Sequence, residues 1–156
     1  MTVNPAAGPV AAIRDLLAQG IAETLSGTEE LVDVGSLAAP PDWPGAILRR
    51  SGPLDLIGDA GASYCVFELP FELLLMTGPW PGSDGAAGLL DAWVARLGAP
   101  NALEICAEYE DWPDSMHHPI VEAIDEEQIF EIGGPNVYGC TVRILAQIEL
   151  KPIQGE

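Results

Sequence analysis

The chain has 156 residues, of which 48% are hydrophobic, and its 24 acidic residues outnumber six basic ones to give a formal net charge of −18. Such a length is enough for one domain with a hydrophobic core, and this hydrophobic content argues against wholesale disorder. The charge argues against tight nucleic-acid binding, because that binding depends on Lys and Arg side chains that displace counterions from phosphates.

The sequence predicts a single domain over residues 1–156, with short tails at 1–8 and 151–156. Its N-terminus lacks the basic stretch that opens a signal peptide, and no apolar run reaches the roughly 18 residues of a membrane span. The cysteines lie far apart in apolar runs, which predicts buried thiols with no disulfide or zinc site. They are Cys65, Cys106 and Cys140. We therefore expect an intracellular protein with no membrane contact.

The first predicted element is a helix that begins at Pro5 or, because of Gly8 and Pro9, about one turn later. Its apolar residues recur at helical spacing. They are Ile13, Leu16, Leu17, Ile21 and Leu25. Short strands are predicted next within 30–36 and 46–50, and turn residues at 53–62 predict a loop or a hairpin connection.

A long strand is predicted in "CVFELPFELLLM", residues 65–76, where every odd position is apolar. Pro70 must then lie at an edge, a bulge or a position that needs no hydrogen-bond donor. The outer positions are also too hydrophobic for a free face, so we expect another strand or a neighbouring subunit to cover them. These outer positions are Val66, Leu74 and Met76.

A second helix is predicted from Ser83 or Asp84 to Leu97, followed by the stop signals Gly98 and Pro100. Its apolar face consists of Leu89, Leu90, Trp93, Val94 and Leu97. The alternation in 102–110 predicts a third strand with one buried and one acidic face.

The pattern of 119–132 stays open, because Ile120 with Ile124 favours a helical turn whereas Ile129 to Ile132 favours a strand. The alternation in 137–150 predicts a final long strand. These elements predict an α+β fold in which two main helices pack on one face of an antiparallel or mixed sheet of about four to five strands.

The densest polar segment is "EYEDWPDSMHHP", in which Glu108, Asp111 and His117 could hold a divalent metal. The spacings of known zinc and calcium motifs are missing, so a solvated acidic loop is the favoured interpretation. We expect no catalytic, cofactor-binding or metal-ligating residues.

Aromatic and charged residues mark candidate interfaces. Trp43, Trp80 and Trp112 each adjoin a proline and could anchor a partner, although such pairs more often hold a loop against its own sheet. Residues 101–135 contain ten acids and no Lys or Arg, which predicts one acidic face. The predicted interface residues are Val66, Leu74, Met76, Trp80, Arg49, Arg50 and Trp112.

The order of these elements resembles that of the tail terminator proteins of long-tailed phages and related neck proteins. The resemblance covers about residues 10 to 150, and its segments are the first helix, "ELVDVG", "GAILRR", "CVFELPFELLLM", "SDGAAGLLDAWVARLG" and "YGCTVRILAQIEL". In that family a short acidic or polar segment precedes a helix built around a Leu-Asp pair, which corresponds here to Leu90 and Asp91.

The resemblance implies a subunit of a homo-oligomeric ring, commonly a hexamer, in the tail or neck of a virion assembled in the host cytoplasm. Such a ring lies at the head-proximal end of the tail tube, ends tube polymerisation and docks to the head-tail connector. Its partners would be the tail tube protein and the connector proteins. DNA would pass through an acidic lumen without specific binding.

Two other functions stay open. The charge and the α+β pattern also suit an acidic binding module for a basic or hydrophobic protein partner, such as a secretion chaperone or a DNA-mimic inhibitor. The third hypothesis is a small metal-dependent enzyme that uses Glu108, Asp111 and His117.

Overall fold

A computed structural model describes residues 8–27, 31–35, 44–53, 55–59, 65–79, 84–112, 119–131 and 136–150. The elements in chain order are α1 (Gly8–Ser26), β1 (Val34–Gly35), β2 (Gly45–Arg50), β3 (Asp55–Asp59), β4 (Cys65–Pro79), α2 (Asp84–Leu97), a 3-10 helix (Glu104–Glu108), β5 (Ile120–Ile124), β6 (Gln128–Glu131) and β7 (Asn136–Leu150). Within these ranges, no helix is both long and apolar enough to cross a membrane.

The strands form one mixed sheet in the order β1-β2-β4-β7-β5, in which only the β1–β2 pair is parallel among the described pairs. The long strands β4 and β7 pair antiparallel from Cys65–Leu150 to Pro79–Val137. Each long strand has two shorter neighbours on its other side: β4 pairs with β2 and β3, and β7 pairs with β5 and β6. The predicted α+β class is confirmed, with more strands than expected because 53–62 and 119–132 contribute them.

Both helices pack on one face of this sheet, as predicted, and we call it the helix face. Alternate residues of β4 and β7 meet there in register, for example Phe71 opposite Ile144 and Leu73 opposite Val142. The buried residues that join this core from the helices are Ile13, Leu16, Leu17, Ile21, Leu25, Ala86, Leu90, Trp93 and Leu97. Apolar side chains at helical and at strand spacing thus share one core.

The central strands approach each other closely at Gly139. A Cβ atom added at Gly139 would lie 1.7 Å from the carbonyl oxygen of Leu75 in β4, so only glycine fits there. This contact lies at the Met76–Gly139 pair, next to a bulge between Met76 and Gly78. The glycine therefore allows β4 and β7 to stay paired past the bulge.

Pro70 lies inside β4 rather than at a sheet edge, and the structure shows why a proline is tolerated there. Its carbonyl oxygen accepts a hydrogen bond from the Ser51 nitrogen at 3.0 Å. The nitrogen and carbonyl of one strand residue point to the same side, so the Pro70 nitrogen points away from β7. It faces the segment between β2 and β3, which confirms the prediction of a position that needs no donor.

The strand predicted at 102–110 is wrong, because Glu104–Glu108 is a 3-10 helix. Its nitrogens bond to carbonyls three residues earlier, including Cys106 to Leu103 at 3.1 Å and Tyr109 to Cys106 at 3.3 Å. The buried side chains accordingly recur every third residue rather than every second. They include Leu103, Cys106 and Trp112, with Tyr109 partly buried among them.

The open segment 119–132 contains two strands, so its helical alternative at Ile120–Ile124 is wrong and its strand alternative near 129 is confirmed. Residues 53–62, predicted as a loop or hairpin connection, contain β3, which pairs antiparallel with β4. Among the described residues of the strand predicted within 30–36, Val34–Gly35 forms a strand.

Candidate interaction surfaces

We call the sheet face opposite the helices the outer face. One end of this face carries a small cluster of buried apolar side chains. This outer apolar cluster consists of Ile47, Leu74, Met76 and Val137, with Phe130 packed against it. Leu74 is 3% exposed and Met76 1% exposed within the single chain. Their predicted covering is therefore confirmed and comes from the chain itself, which leaves these two side chains almost no surface for a partner.

The outer face becomes charged a short distance along the same strands. Arg49, Glu72 and Arg143 lie side by side on β2, β4 and β7. Arg49 donates two hydrogen bonds to Glu72, from Nη2 at 2.8 Å and from Nε at 3.0 Å. Arg143 lies 3.8 Å from Asp125. Since these pairs are exposed to solvent, each contributes little to stability.

Arg49 and Arg50, both predicted at an interface, are exposed at the end of β2. Arg50 donates a long hydrogen bond of 3.4 Å to the Gly52 carbonyl oxygen. Arg49 and Arg50 are the described residues of β2 that expose positive charge to solvent. The structure therefore leaves both guanidinium groups accessible to a partner.

Trp112 is 3% exposed and belongs to the main core, so it holds its own chain segment in place, as the favoured interpretation of the Trp-Pro pairs predicted. Trp43 and Trp80 lie outside the described residues, as does the side chain of Val66, whose backbone pairs with Gly58 and Glu149.

The acidic segment after α2 is exposed at Glu104, Glu108, Glu110 and Asp111, whereas His117 lies outside the described residues. In the part of the chain that the structure describes, no three His, Cys, Asp or Glu side chains are grouped to hold a metal ion. Glu108 and Asp111 therefore have the solvated positions that the loop interpretation predicted.

Two thiols are buried, as predicted: Cys106 and Cys140. Burial, with a smaller contribution from the charge of Glu23, raises the pKa of Cys106 to about 12. Burial likewise raises the pKa of Cys140 to about 11. Both thiols therefore stay protonated at neutral pH and are poor nucleophiles. The side chain of Cys65 lies outside the described residues.

A cleft of about 570 Å³ runs along β5, between this strand and the turn that follows α2. We call it the β5 cleft, and its lining residues are 97–103 and 119–124. Asn101 turns the chain there with a left-handed backbone, φ 55°. The sequence interpretation missed this cleft, because it assigned 102–110 to a strand and left 119–132 open. The turn residues Gly98, Pro100 and Asn101 were the available signal.

A smaller cavity of about 300 Å³ adjoins the cleft at Ile124, which lines both. Four carboxylates lie along it, and we call it the acidic pocket; its lining residues are Leu90, Asp91, Val94, Ile124, Asp125, Glu126, Glu127 and Cys140. Burial, and then a hydrogen bond to Glu127, raises the pKa of Tyr138 to about 12.

Comparison with models of known protein families found no match, and comparison with curated proteins found none either.

Proposed function

We propose that the chain is the subunit of a homo-oligomeric ring in a phage virion, the tail terminator at the head-proximal end of the tail tube. The observation that supports this proposal is the succession of α1, short strands, β4, α2 and β7, with both helices on one face of the sheet. It is the order of elements on which the resemblance to that family rests. The ring would act by assembly and shape, without catalysis.

The charge distribution supports a head-to-tail contact between neighbouring subunits. Arg49 and Arg50 are exposed at β2, whereas Glu104, Glu108 and Asp111 are exposed near the 3-10 helix. A head-to-tail contact brings two different surfaces together and closes into a ring when the rotation between subunits fits. We propose that the two arginines of one subunit face the acidic segment of the next, which lowers the repulsion that a charge of −18 creates.

The test is the mass of the assembled protein, measured by light scattering after gel filtration at micromolar concentration and checked by negative-stain microscopy. The wild type is expected to form rings, and the double variant Arg49→Glu/Arg50→Glu is expected to be monomeric. Arg49→Lys/Arg50→Lys, which keeps the charge, is the matched control and should assemble. A wild-type monomer that also fails to associate with tail tube subunits would contradict the proposal.

A charge exchange makes the test specific to the proposed contact. Glu108→Arg/Asp111→Arg should also block assembly, because both surfaces would then be positive. Mixing this variant with Arg49→Glu/Arg50→Glu should restore assembly, because the two reversed surfaces attract each other and the unchanged arginines of one variant meet the unchanged acids of the other. Combining all four changes in one chain should also restore the ring. If the combined variant stays monomeric while remaining folded by circular dichroism, the proposed pair of surfaces is wrong.

A further inference from the structure

The β5 cleft lies beside the last strand of the sheet. β5 has β7 as its only strand partner among the described residues, so no described strand pairs with its other backbone edge, and residues of this strand line the β5 cleft. Ile120 is 54% exposed there, which is high for a large apolar side chain. An exposed edge strand with an apolar residue is a template for pairing with another extended segment.

The backbone of Ile124 is oriented for such pairing. The Asp125 nitrogen donates to the Thr141 carbonyl oxygen of β7 at 2.9 Å. In an antiparallel pair, successive residues alternate between facing the partner strand and facing away from it. The N–H and C=O of Ile124 therefore point away from β7, toward an added strand.

The side chains around the two cavities define what kind of segment fits. The β5 cleft offers apolar surface from the half-buried residues Ala102, Val121 and Ile124. At its Ile124 end, the acidic pocket adds four carboxylates and, among the described lining residues, no Lys or Arg. Within the described part of the chain, Asp125 is the one of these four with an ion pair, to Arg143 at 3.8 Å, and 61% of the arginine side chain is exposed. The pocket therefore keeps a strong negative potential.

We propose that an extended, basic segment of a partner protein binds along β5 as an added strand, with an apolar side chain in the β5 cleft and a Lys or Arg side chain in the acidic pocket. Charge complementarity selects this occupant over a second copy of the chain, since each copy brings the same acids and a net charge of −18. The five residues of β5 span about 17 Å, so four to six partner residues suffice. The proposal does not depend on ring formation.

The test adds an eight-residue peptide of alternating valine and lysine to the protein. Heteronuclear NMR and amide hydrogen exchange then monitor its binding. The peptide is expected to shift the β5 resonances and to slow exchange of the Ile124 amide about tenfold at saturation, as a new backbone hydrogen bond would. A serine-lysine peptide should bind about tenfold more weakly or worse, because it lacks the apolar side chain. A valine-glutamate peptide should not bind.

Backbone pairing is tested by methylating every backbone amide of the valine-lysine peptide. The methylated peptide keeps its charge and side chains, but the methyl groups on both edges prevent its backbone from approaching β5. No peptide carbonyl then accepts from the Ile124 N–H, so Ile124 should lose its protection. Equal binding and equal protection by both peptides would overturn the added-strand geometry.

Protein variants locate the basic side chain. Asp91→Asn/Glu126→Gln removes two charges at the acidic pocket from exposed positions, so the fold should persist. The affinity for the valine-lysine peptide is expected to fall about three- to tenfold. Asp33→Asn/Asp55→Asn removes the same charge from exposed residues of the β1 and β3 region and is the matched control.

Three further results would overturn the proposal. The first is equal weakening by both double variants, which would mean that overall charge alone attracts the peptide. The second is the lack of any shift at β5 with millimolar peptide. The third is concentration-dependent protection of Ile124 without peptide, together with dimers in sedimentation velocity, which would assign the β5 cleft to a second copy.

Discussion

The two faces of the sheet are formed by the same strands but differ in what covers them. The helix face is apolar across β2, β4 and β7 and lies under α1, α2 and the 3-10 helix. The outer face has a buried apolar cluster of four residues at one end and a charged row at Arg49, Glu72 and Arg143. Strand alternation decides which residues share a face, but the apolar area of each face decides how much of it must be covered.

The largest expected effect is on the helix face. Phe71→Ala removes a fully buried ring from the centre of the main core and should lower the free energy of unfolding by about 3–5 kcal/mol. This change in the free energy of unfolding is measured by urea denaturation, with circular dichroism as the signal. The neighbouring variant Glu72→Ala, on the outer face, serves as the control and should cost far less. Similar losses for the two variants would remove the distinction between the faces.

Leu74→Ala tests the outer apolar cluster. Leu74 is 3% exposed, and its loss should cost about 2–3 kcal/mol, at the lower end for leucine because the cluster is small. The same denaturation experiment measures it, and light scattering should show an unchanged oligomeric state. A loss of oligomers without a loss of monomer stability would instead place Leu74 in an interface between subunits.

Tyr109 and Glu23 form a pH-sensitive contact on the helix side of the sheet. Burial and then the hydrogen bond that Tyr109 donates to Glu23 raise the pKa of Tyr109 above its ordinary value of 10.0. Because the folded state favours the protonated hydroxyl, its contribution to stability is complete below pH 10.0 and is lost as the pH rises through the higher folded pKa. Buried Cys106, whose pKa rises from 9.0 to about 12, acts in the same direction.

Tyr109→Phe should therefore cost about 1 kcal/mol at neutral pH, from the lost hydrogen bond, and make unfolding less sensitive to alkaline pH. Thermal unfolding between pH 7 and pH 11 measures both effects, because this range extends above the reference values of 9.0 for cysteine and 10.0 for tyrosine. An unchanged alkaline slope in the variant would show that Tyr109 ionises equally in the folded and unfolded states.

The smallest effect is expected in the charged row. The Arg49 and Glu72 side chains are 42% and 28% exposed. Arg49→Gln breaks their ion pair and should therefore change the free energy of unfolding by less than about 1 kcal/mol. High salt should reduce this difference further. A loss as large as that of Leu74→Ala would mean that the charged half of the outer face is buried in solution.

The alternation of residues 65–76 and 137–150 was sufficient to predict the central strands, and the helical spacing of Ile13, Leu16 and Leu17 was sufficient for α1. The 3-10 helix was missed because Leu103, Cys106 and Tyr109 recur every third residue within a segment that also alternates in polarity. In so short a segment both periods fit, and burial under α1 selects one of them.

The cleft and the pocket beside β5 could not be predicted, since they depend on the distance between elements. Gly20 illustrates this dependence: a Cβ atom there would lie 2.2 Å from the Cys106 sulfur, so α1 rests directly on the 3-10 helix. That contact, together with the turn at Asn101, helps to set the position of the chain that borders the β5 cleft.

The amino-acid sequence by itself determined the fold class, the two helices, the central strands and which of their residues face the core, because hydrophobic periodicity is a local property. It also determined the acidic charge that constrains partners. Only the tertiary structure decided that the chain itself covers Leu74 and Met76, that Trp112 is buried, and that β5 forms a sheet edge beside a cleft. These features depend on contacts between residues distant in the sequence, which no local pattern specifies.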